Sequence, residues 1–201
     1  MIRARRATVA LTVGCGLLAA CGTSGTPSSS GGSTAHATPT PPIGTPFSTG
    51  RFSTVVPANW NDKITASSEV AKFSGNGHVE FLVEQGPPGQ LQQNVNDVTA
   101  NVNVLLLSST VPDDQLATYL QSVSNNGATN LSAAQQFTID GATGQFITYD
   151  RDIQGTPGES QDMVINHGGS TYDIVLNTSQ YAFSQQHAAL QAVLAAWRWS
   201  S

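Results

Sequence analysis

The sequence predicts an α+β domain, an antiparallel sheet carrying two main helices. Three observations lead there. Residues 78–84 (HVEFLVE) alternate apolar and polar side chains with the period of a half-buried strand. Four later segments, 128–140, 142–150, 159–166 and 171–178, read as strands divided by the turn residues Asp140-Gly141, Gly155 to Gly158 and Gly168-Gly169. Finally, Phe183, His187, Leu190, Leu194 and Trp197 step by 4, 3, 4 and 3, one apolar stripe on a helix over 180–198. Strands, helix, strands, helix is the order of an α+β fold with an antiparallel sheet.

The elements follow in order. Residues 51–57 (RFSTVVP) form a strand, and a turn carries Trp60. Short, weaker strands are read over 64–68 and 69–73. In 78–84, Val79, Phe81 and Val83 fall on one face and Glu80 and Glu84 on the other. The stretch 85–100 opens with Gly-Pro-Pro-Gly and is polar, so it reads as a loop with at most a helical turn. Residues 101–109 (NVNVLLLSS) are a strand with an apolar centre. The run Thr110-Val-Pro-Asp-Asp-Gln starts a helix, with Thr110 or Val111 as cap, Pro112 near the first turn, and Asp113 and Asp114 at the positive dipole end. Leu116, Tyr119, Leu120 and Val123 continue it at helical spacing.

The N-terminus reads as an address rather than as structure. Arg3, Arg5 and Arg6 precede an uncharged, mostly apolar run over 7–20, the build of a secretory signal peptide. That run is shorter than the roughly 20 apolar residues a membrane-spanning helix needs. It ends in Leu18-Ala19-Ala20-Cys21, which resembles the lipobox of bacterial lipoproteins residue for residue. The resemblance implies that the Cys21 thiol takes a diacylglycerol, that residues 1–20 are cut away, and that the chain is anchored to the outer face of the cell membrane. Arg5-Arg6 invites a twin-arginine reading, but its flanks fit that motif poorly, and the general secretory route is expected. Cys15 lies in the discarded run, so the mature chain would hold neither a disulfide nor a thiolate metal site.

Between Gly22 and Pro46, 21 of 25 residues are Gly, Ser, Thr or Pro. With nothing to bury, residues 21–46 are expected to be a disordered tether behind the lipidated Cys21. Its flexible span would be about 25–30 Å. Residues 47–201 have the composition of one globular domain, long enough to bury a single core.

Charge excludes some partners. The chain has 8 basic and 13 acidic residues, and without residues 1–20 the balance becomes −8. Nucleic acid and polybasic membrane docking both need clustered Lys and Arg, which this chain lacks.

The layout also resembles the Mog1/PsbP-like fold as used by actinobacterial lipoproteins of the LpqN/LpqT type. The residues carrying the resemblance are Phe52-Ser-Thr-Val-Val-Pro-Ala-Asn-Trp60, Pro112-Asp113-Asp114, Phe137-Thr-Ile-Asp-Gly-Ala-Thr-Gly144 leading to the strand with Tyr149, and the closing strand–helix pair that ends at Trp197. It spans nearly all of 47–201 and departs at the Gln/Asn-rich stretch 85–103 and the short 151–159 hairpin. It implies an αβα-sandwich and a binding or assembly factor, and it brings no shared catalytic motif.

Chemistry is sparse. There is no G-x-S-x-G elbow, no S-x-x-K, no P-loop and no G-x-G-x-x-G. His36, His78, His167 and His187 are not spaced as metal pairs, so neither metal nor cofactor is expected. His167 reads as a turn residue and His187 as a half-buried, hydrogen-bonded one. Glu80, Glu84, Asp150, Asp152, Asp162 and Asp173 lie on or near paired strands. They would form either a docking surface for a protein partner, a Ca²⁺ site, or a solvated face kept charged against edge pairing. Among the aromatics, Trp60, Tyr149, Tyr172, Trp197 and Trp199 are candidates to line a groove for an apolar or glycolipid ligand, with Trp199 off the stripe and a candidate for exposure.

The expectation is therefore a membrane-anchored, non-enzymatic envelope module that binds a protein partner. The alternative is a carrier or sensor of a lipid, glycolipid or other small apolar molecule. The anchor has a direct check: intact-mass analysis of the mature chain should show Cys21 as the first residue carrying a diacylglycerol. Cys21→Ser should move the protein to the soluble fraction, and an unchanged membrane fraction would overturn the anchor.

Overall fold

The structure, a computed structural model, describes residues 44–67, 70–71, 74, 77–85, 99–153 and 155–200. The signal peptide, Cys21, most of the tether and most of the 85–100 loop lie outside the described residues. Among the described residues, no helix is long and apolar enough to cross a membrane.

The expected α+β fold is present, as two antiparallel sheets. Strands β1 (Gly44–Ser48), β2 (Phe52–Pro57) and β10 (Arg198–Trp199) form the small sheet, in the order β1-β2-β10. The large sheet has seven strands. They are β3 (Trp60–Asp62), β4 (Gly77–Gln85), β5 (Asn101–Leu107), β6 (Gln135–Ile139), β7 (Ala142–Ile153), β8 (Thr156–His167) and β9 (Ser170–Ser179), ordered β3-β4-β5-β9-β8-β7-β6. Helix α1 (Leu116–Gln121) lies against β7 and β8, and α2 (Phe183–Ala196) against β2 and β9.

The hairpins follow their turn chemistry. Asp140 and Gly141 join β6 to β7 with φ of 45° and 83°, and Gly168 and Gly169 join β8 to β9 with φ of 58° and 77°. Two consecutive residues at positive φ make the tight turn whose twist matches antiparallel strands. Gly144 is needed for another reason. A Cβ there would stand 2.3 Å from the Val164 carbonyl oxygen, so the β7–β8 pairing leaves no room for one.

The cross-strand register assigns each residue to one of two sheet faces. The first face carries Phe81, Val83, Val102, Val104, Met163, Ile165, Tyr172, Ile174 and Leu176. The small sheet and α2 cover it with Phe52, Leu190, Val193 and Trp197, each fully buried. The second face carries Ile147, Tyr149 and Val164, covered by Leu116 and Leu120 of α1.

Several expectations need correction. Residues 44–46, read as the end of the tether, already pair with β2. Trp60 is in a short strand rather than a turn. Ser67, Val70 and Ala71 are helical, with the Val70 N–H donating to the Ala66 carbonyl at 3.0 Å, so the weak strands over 64–73 are not seen at those positions. Of the strand read over 128–140, only Gln135–Ile139 forms, preceded by a single bridge between Thr129 and Asp150. The helix expected from Thr110 begins as a 3-10 turn at Asp113–Gln115, and the Thr110 hydroxyl donates to the Gly169 carbonyl instead of capping. On α2 the buried positions are Gln186, Leu190 and Val193, so the contact line is turned from the predicted stripe. Trp197 has left the helix for extended backbone and drops into the core.

A bulge changes β4. Val79 pairs with Leu105 and Phe81 with Val104, which leaves Glu80 as the extra residue. Val79 therefore falls on the opposite face from Phe81 and Val83, and Glu80 and Glu84 do not share one. Period-two reading cannot see a bulge, because the inserted residue inverts every assignment on one side of it.

Trp197→Ala should lower stability by about 3–5 kcal/mol, the usual cost of emptying a buried aromatic site. Urea unfolding checks this, and a change below about 1 kcal/mol would contradict the packing described.

Candidate functional site

The five aromatic candidates divide between three places. Trp60 sits half-buried on edge strand β3, opposite Gln85. Tyr149 is buried on the second face beneath α1. Tyr172, Trp197 and Trp199 do come together, with Phe52 and His167, where the chain's last residues cross the large sheet.

At that crossing the backbone N–H of Trp199 donates to Asp140 Oδ2 at 2.8 Å, and its indole N–H donates to the Ile139 carbonyl at 3.3 Å. Its ring lies parallel to His167, centroids 4.2 Å apart at 8°, and tilts over Tyr172 at 4.9 Å. Trp197 stands edge-on at 5.1 Å and stacks on Phe52 at 4.0 Å. Trp199 and His167 are half-buried, so the upper layer of this stack meets solvent while the lower layer does not. Arg51 flanks it, with Nε 3.2 Å from Glu80 Oε1. Burial raises the pKa of the Tyr172 hydroxyl, and the adjacent Arg51 guanidinium pulls it the other way.

The six acidic candidates do not form one face. Glu80 is taken by Arg51 on the first face, and Glu84 lies 4.0 Å from Lys63 on the second. Asp150 and Asp152 rim an open depression of about 350 Å³ lined also by Gly127, Thr129, Arg151 and Gln180. There Asp150 accepts from Asn130 at 2.7 Å and Asp152 from the Gly155 N–H at 2.7 Å. Glu159 stands directly across from Asp150, and burial followed by that like charge raises its pKa.

Asp162 is inside the protein, and Asp173 is half-buried beside it. They occupy adjacent strands on the second face, Asp162 opposite Val175 and Asp173 opposite Val164. Asp162 is buried beside a like charge, and both effects favour a proton on the pair. Tyr119 of α1 donates to Asp173 Oδ2 at 3.2 Å. Burial is the largest reason that Asp162 holds its proton well above the ordinary carboxylate range, followed by the charge of Asp173. Asp173 is raised by burial and pulled back by its bonds from Asp162 and Tyr119. Tyr149, beside the pair, is pushed up to about 12, first by burial and then by Asp162. A buried polar row continues from there, the Ser160 hydroxyl donating to Asn177 at 2.8 Å, and Asn177 and Asn103 both donating to Asn101 Oδ1.

Sequence reasoning passed over Arg51, Phe52, His167 as a stacking partner, Tyr119 and the Asn row. The alternation Asn101-x-Asn103 was the available sign of polar groups on an inward face. Among the described residues, no group of three or more His, Cys, Asp or Glu is placed to hold a metal ion.

No family model and no curated protein matches this chain. Solved structures do. The crystal structure of LpqN, involved in cell envelope biogenesis of Mycobacterium tuberculosis, superposes with a TM-score of 0.52 at 12% identity, over 83% of this chain and 88% of that one. The solution structure of cyanobacterial PsbP (CyanoP) from Synechocystis gives 0.51 at 13% identity, over 78% and 92%. The chain has the Mog1/PsbP-like fold. At these identities the likeness speaks for the fold alone.

The buried pair has a signed consequence for stability. Unfolded, each Asp titrates near its usual value of about 3.9. Folded, the pair holds its proton to higher pH, so unfolding releases it and stability falls as pH rises through the folded pair's titration. Asp162→Asn should therefore raise Tm at pH 7 by several degrees, with the difference from wild type vanishing by about pH 3. Thermal melts across that range check it, and a lower Tm for the variant at pH 7 would contradict the assignment.

Proposed function

We propose that this chain is a non-enzymatic binding module of the cell envelope, tethered through a lipidated Cys21 and docking a protein partner with the patch around Trp199. One observation carries the docking site. Trp and Arg are among the residue types that dominate binding energy at interfaces, and here half-buried Trp199 and exposed Arg51 are held beside the buried Tyr172 ring at the sheet crossing. Ring stacking on His167 and two hydrogen bonds fix Trp199, so little side-chain freedom is lost on docking.

The placement of the acidic groups supports a binding rather than a catalytic reading. Asp162 and Asp173, the strongest perturbed acids, lie beneath a helix instead of in a cleft. The fold shared with LpqN, a protein of envelope biogenesis, agrees with an envelope role. The reading as a lipid or glycolipid carrier receives less support. Phe52, Leu190, Val193 and Trp197 are all fully buried between the sheet and α2, and the described depression is rimmed by Asp150, Arg151 and Asp152.

Photo-crosslinking in the native envelope tests the proposal. A crosslinker at Ser200, exposed next to Trp199, should capture one reproducible protein, and His167→Ala or Arg51→Ala should cut capture about tenfold, the loss of a typical hot-spot contact. Capture that is unaffected by both substitutions would move the docking surface elsewhere, and no reproducible protein would end the reading.

A further inference from the structure

Helix α1 is six residues long and is extended by 3-10 turns over Asp113–Gln115 and Ser122–Asn126, a run still too short to hold together without its contacts to the sheet. Both of its flanks are pinned. Before it, the Val111 N–H donates to Thr171 Oγ1 at 2.8 Å and the Asn166 amide donates to the Val111 carbonyl at 2.8 Å. After it, Thr129 and Asp150 exchange main-chain hydrogen bonds of 2.8 Å. Between these pins, Leu116 and Leu120 press on Ile147, Tyr149 and Val164, and Tyr119 reaches across to Asp173 on β9.

The groups that face this contact are Tyr119 from α1, Tyr149 and Arg151 from β7, Asp162 from β8 and Asp173 from β9. With one proton between them the carboxyls carry a single negative charge, which the Tyr119 hydroxyl solvates. Asp162 Oδ1 and Asp173 Oδ1 have no hydrogen-bond partner, so the site holds no donor in reserve for a second charge. A second ionisation would set a buried Asp162 anion beside the Asp173 anion, each with an oxygen that has no partner, a state that a protein relieves by letting water in. The strands cannot separate without breaking the centre of the sheet, because β8 and β9 are paired along ten residues each. The helix can move at much smaller cost.

We propose that α1 is a proton-latched lid, held on the sheet through Tyr119 while Asp162 and Asp173 share one proton and freed when that proton leaves. Its opening uncovers Ile147, Tyr149 and Val164, an apolar surface that appears only as pH rises. This stands apart from the docking patch around Trp199, which is on the other face of the sheet.

Amide hydrogen exchange of the full chain between pH 5 and pH 9, corrected for the intrinsic rate, tests the lid. In wild type the opening constant of amides 116–121 should rise toward tenfold per pH unit, the slope for one proton released on opening. Amides of α2 should keep a flat corrected profile. Asp162→Asn, which leaves one ionisable carboxyl, should make α1 flat as well, and Asp173→Asn gives the same reading if the first variant does not fold. Tyr119→Phe should open α1 more at every pH while keeping the slope. A flat α1 in wild type, or a slope that survives in both Asn variants, would overturn the latch.

Discussion

The stack of Phe52 on Trp197 is the contact on which the rest of the architecture depends. Their rings lie 4.0 Å apart at 12°, and both side chains are fully buried. Phe52 opens the second strand of the small sheet, and Trp197 is the first residue after α2. Their contact therefore fastens the beginning and end of the domain onto one face of the large sheet. It also explains why α2 ends where it does. Trp197 turns into extended backbone, which lets Arg198 and Trp199 pair with Ser53 and Phe52 and carries Trp199 over the sheet to Ile139 and Asp140. Anchoring the core and placing half-buried Trp199 at its margin are thus consequences of one change of backbone direction.

The two faces of the large sheet have been put to different uses. The first is apolar and closed by aromatic packing, with a charged pair, Arg51 and Glu80, at its margin. The second mixes a small apolar cluster with two acids and a row of Asn and Ser side chains that satisfy one another. Polar groups in such a place cost stability unless they are bonded, and Asp162 and Asp173 each keep one oxygen without a partner, so the pair costs least while it keeps a proton. One face therefore holds the main core, and the other carries the two acids whose protonation is linked to folding.

Much of this was legible in the sequence. The long hairpins from β6 to β9 were visible because Asp-Gly and Gly-Gly turns punctuate residues of strand type. The closing helix was visible because its apolar residues recur every three or four positions. What escaped detection has a physical reason in each case. The β4 bulge inserts Glu80 without any residue that announces it, so faces assigned by alternation invert at Val79. The buried line on α2 begins at Gln186, whose amide bonds Gln85, and a hydrophobicity pattern passes over a buried glutamine. Asp162 and Asp173 looked like surface charges because acids usually are. Only strand register shows that they are neighbours beneath a helix, and register is set by pairing partners far along the chain. Three of the five aromatic candidates converge because Tyr172 lies on a central strand and the chain's last residues cross it. Trp60 and Tyr149 were equally aromatic in the sequence and lie elsewhere.

The central claim is that this domain binds a protein rather than carrying a lipid. Native mass spectrometry of the full chain, released from its own envelope in mild detergent, tests it most directly. The account predicts a complex whose added mass is that of a protein, with the dissociated chain bearing only its covalent anchor. A dissociated chain that keeps a non-covalent adduct of lipid size, with no protein partner, would contradict it and make the domain a carrier.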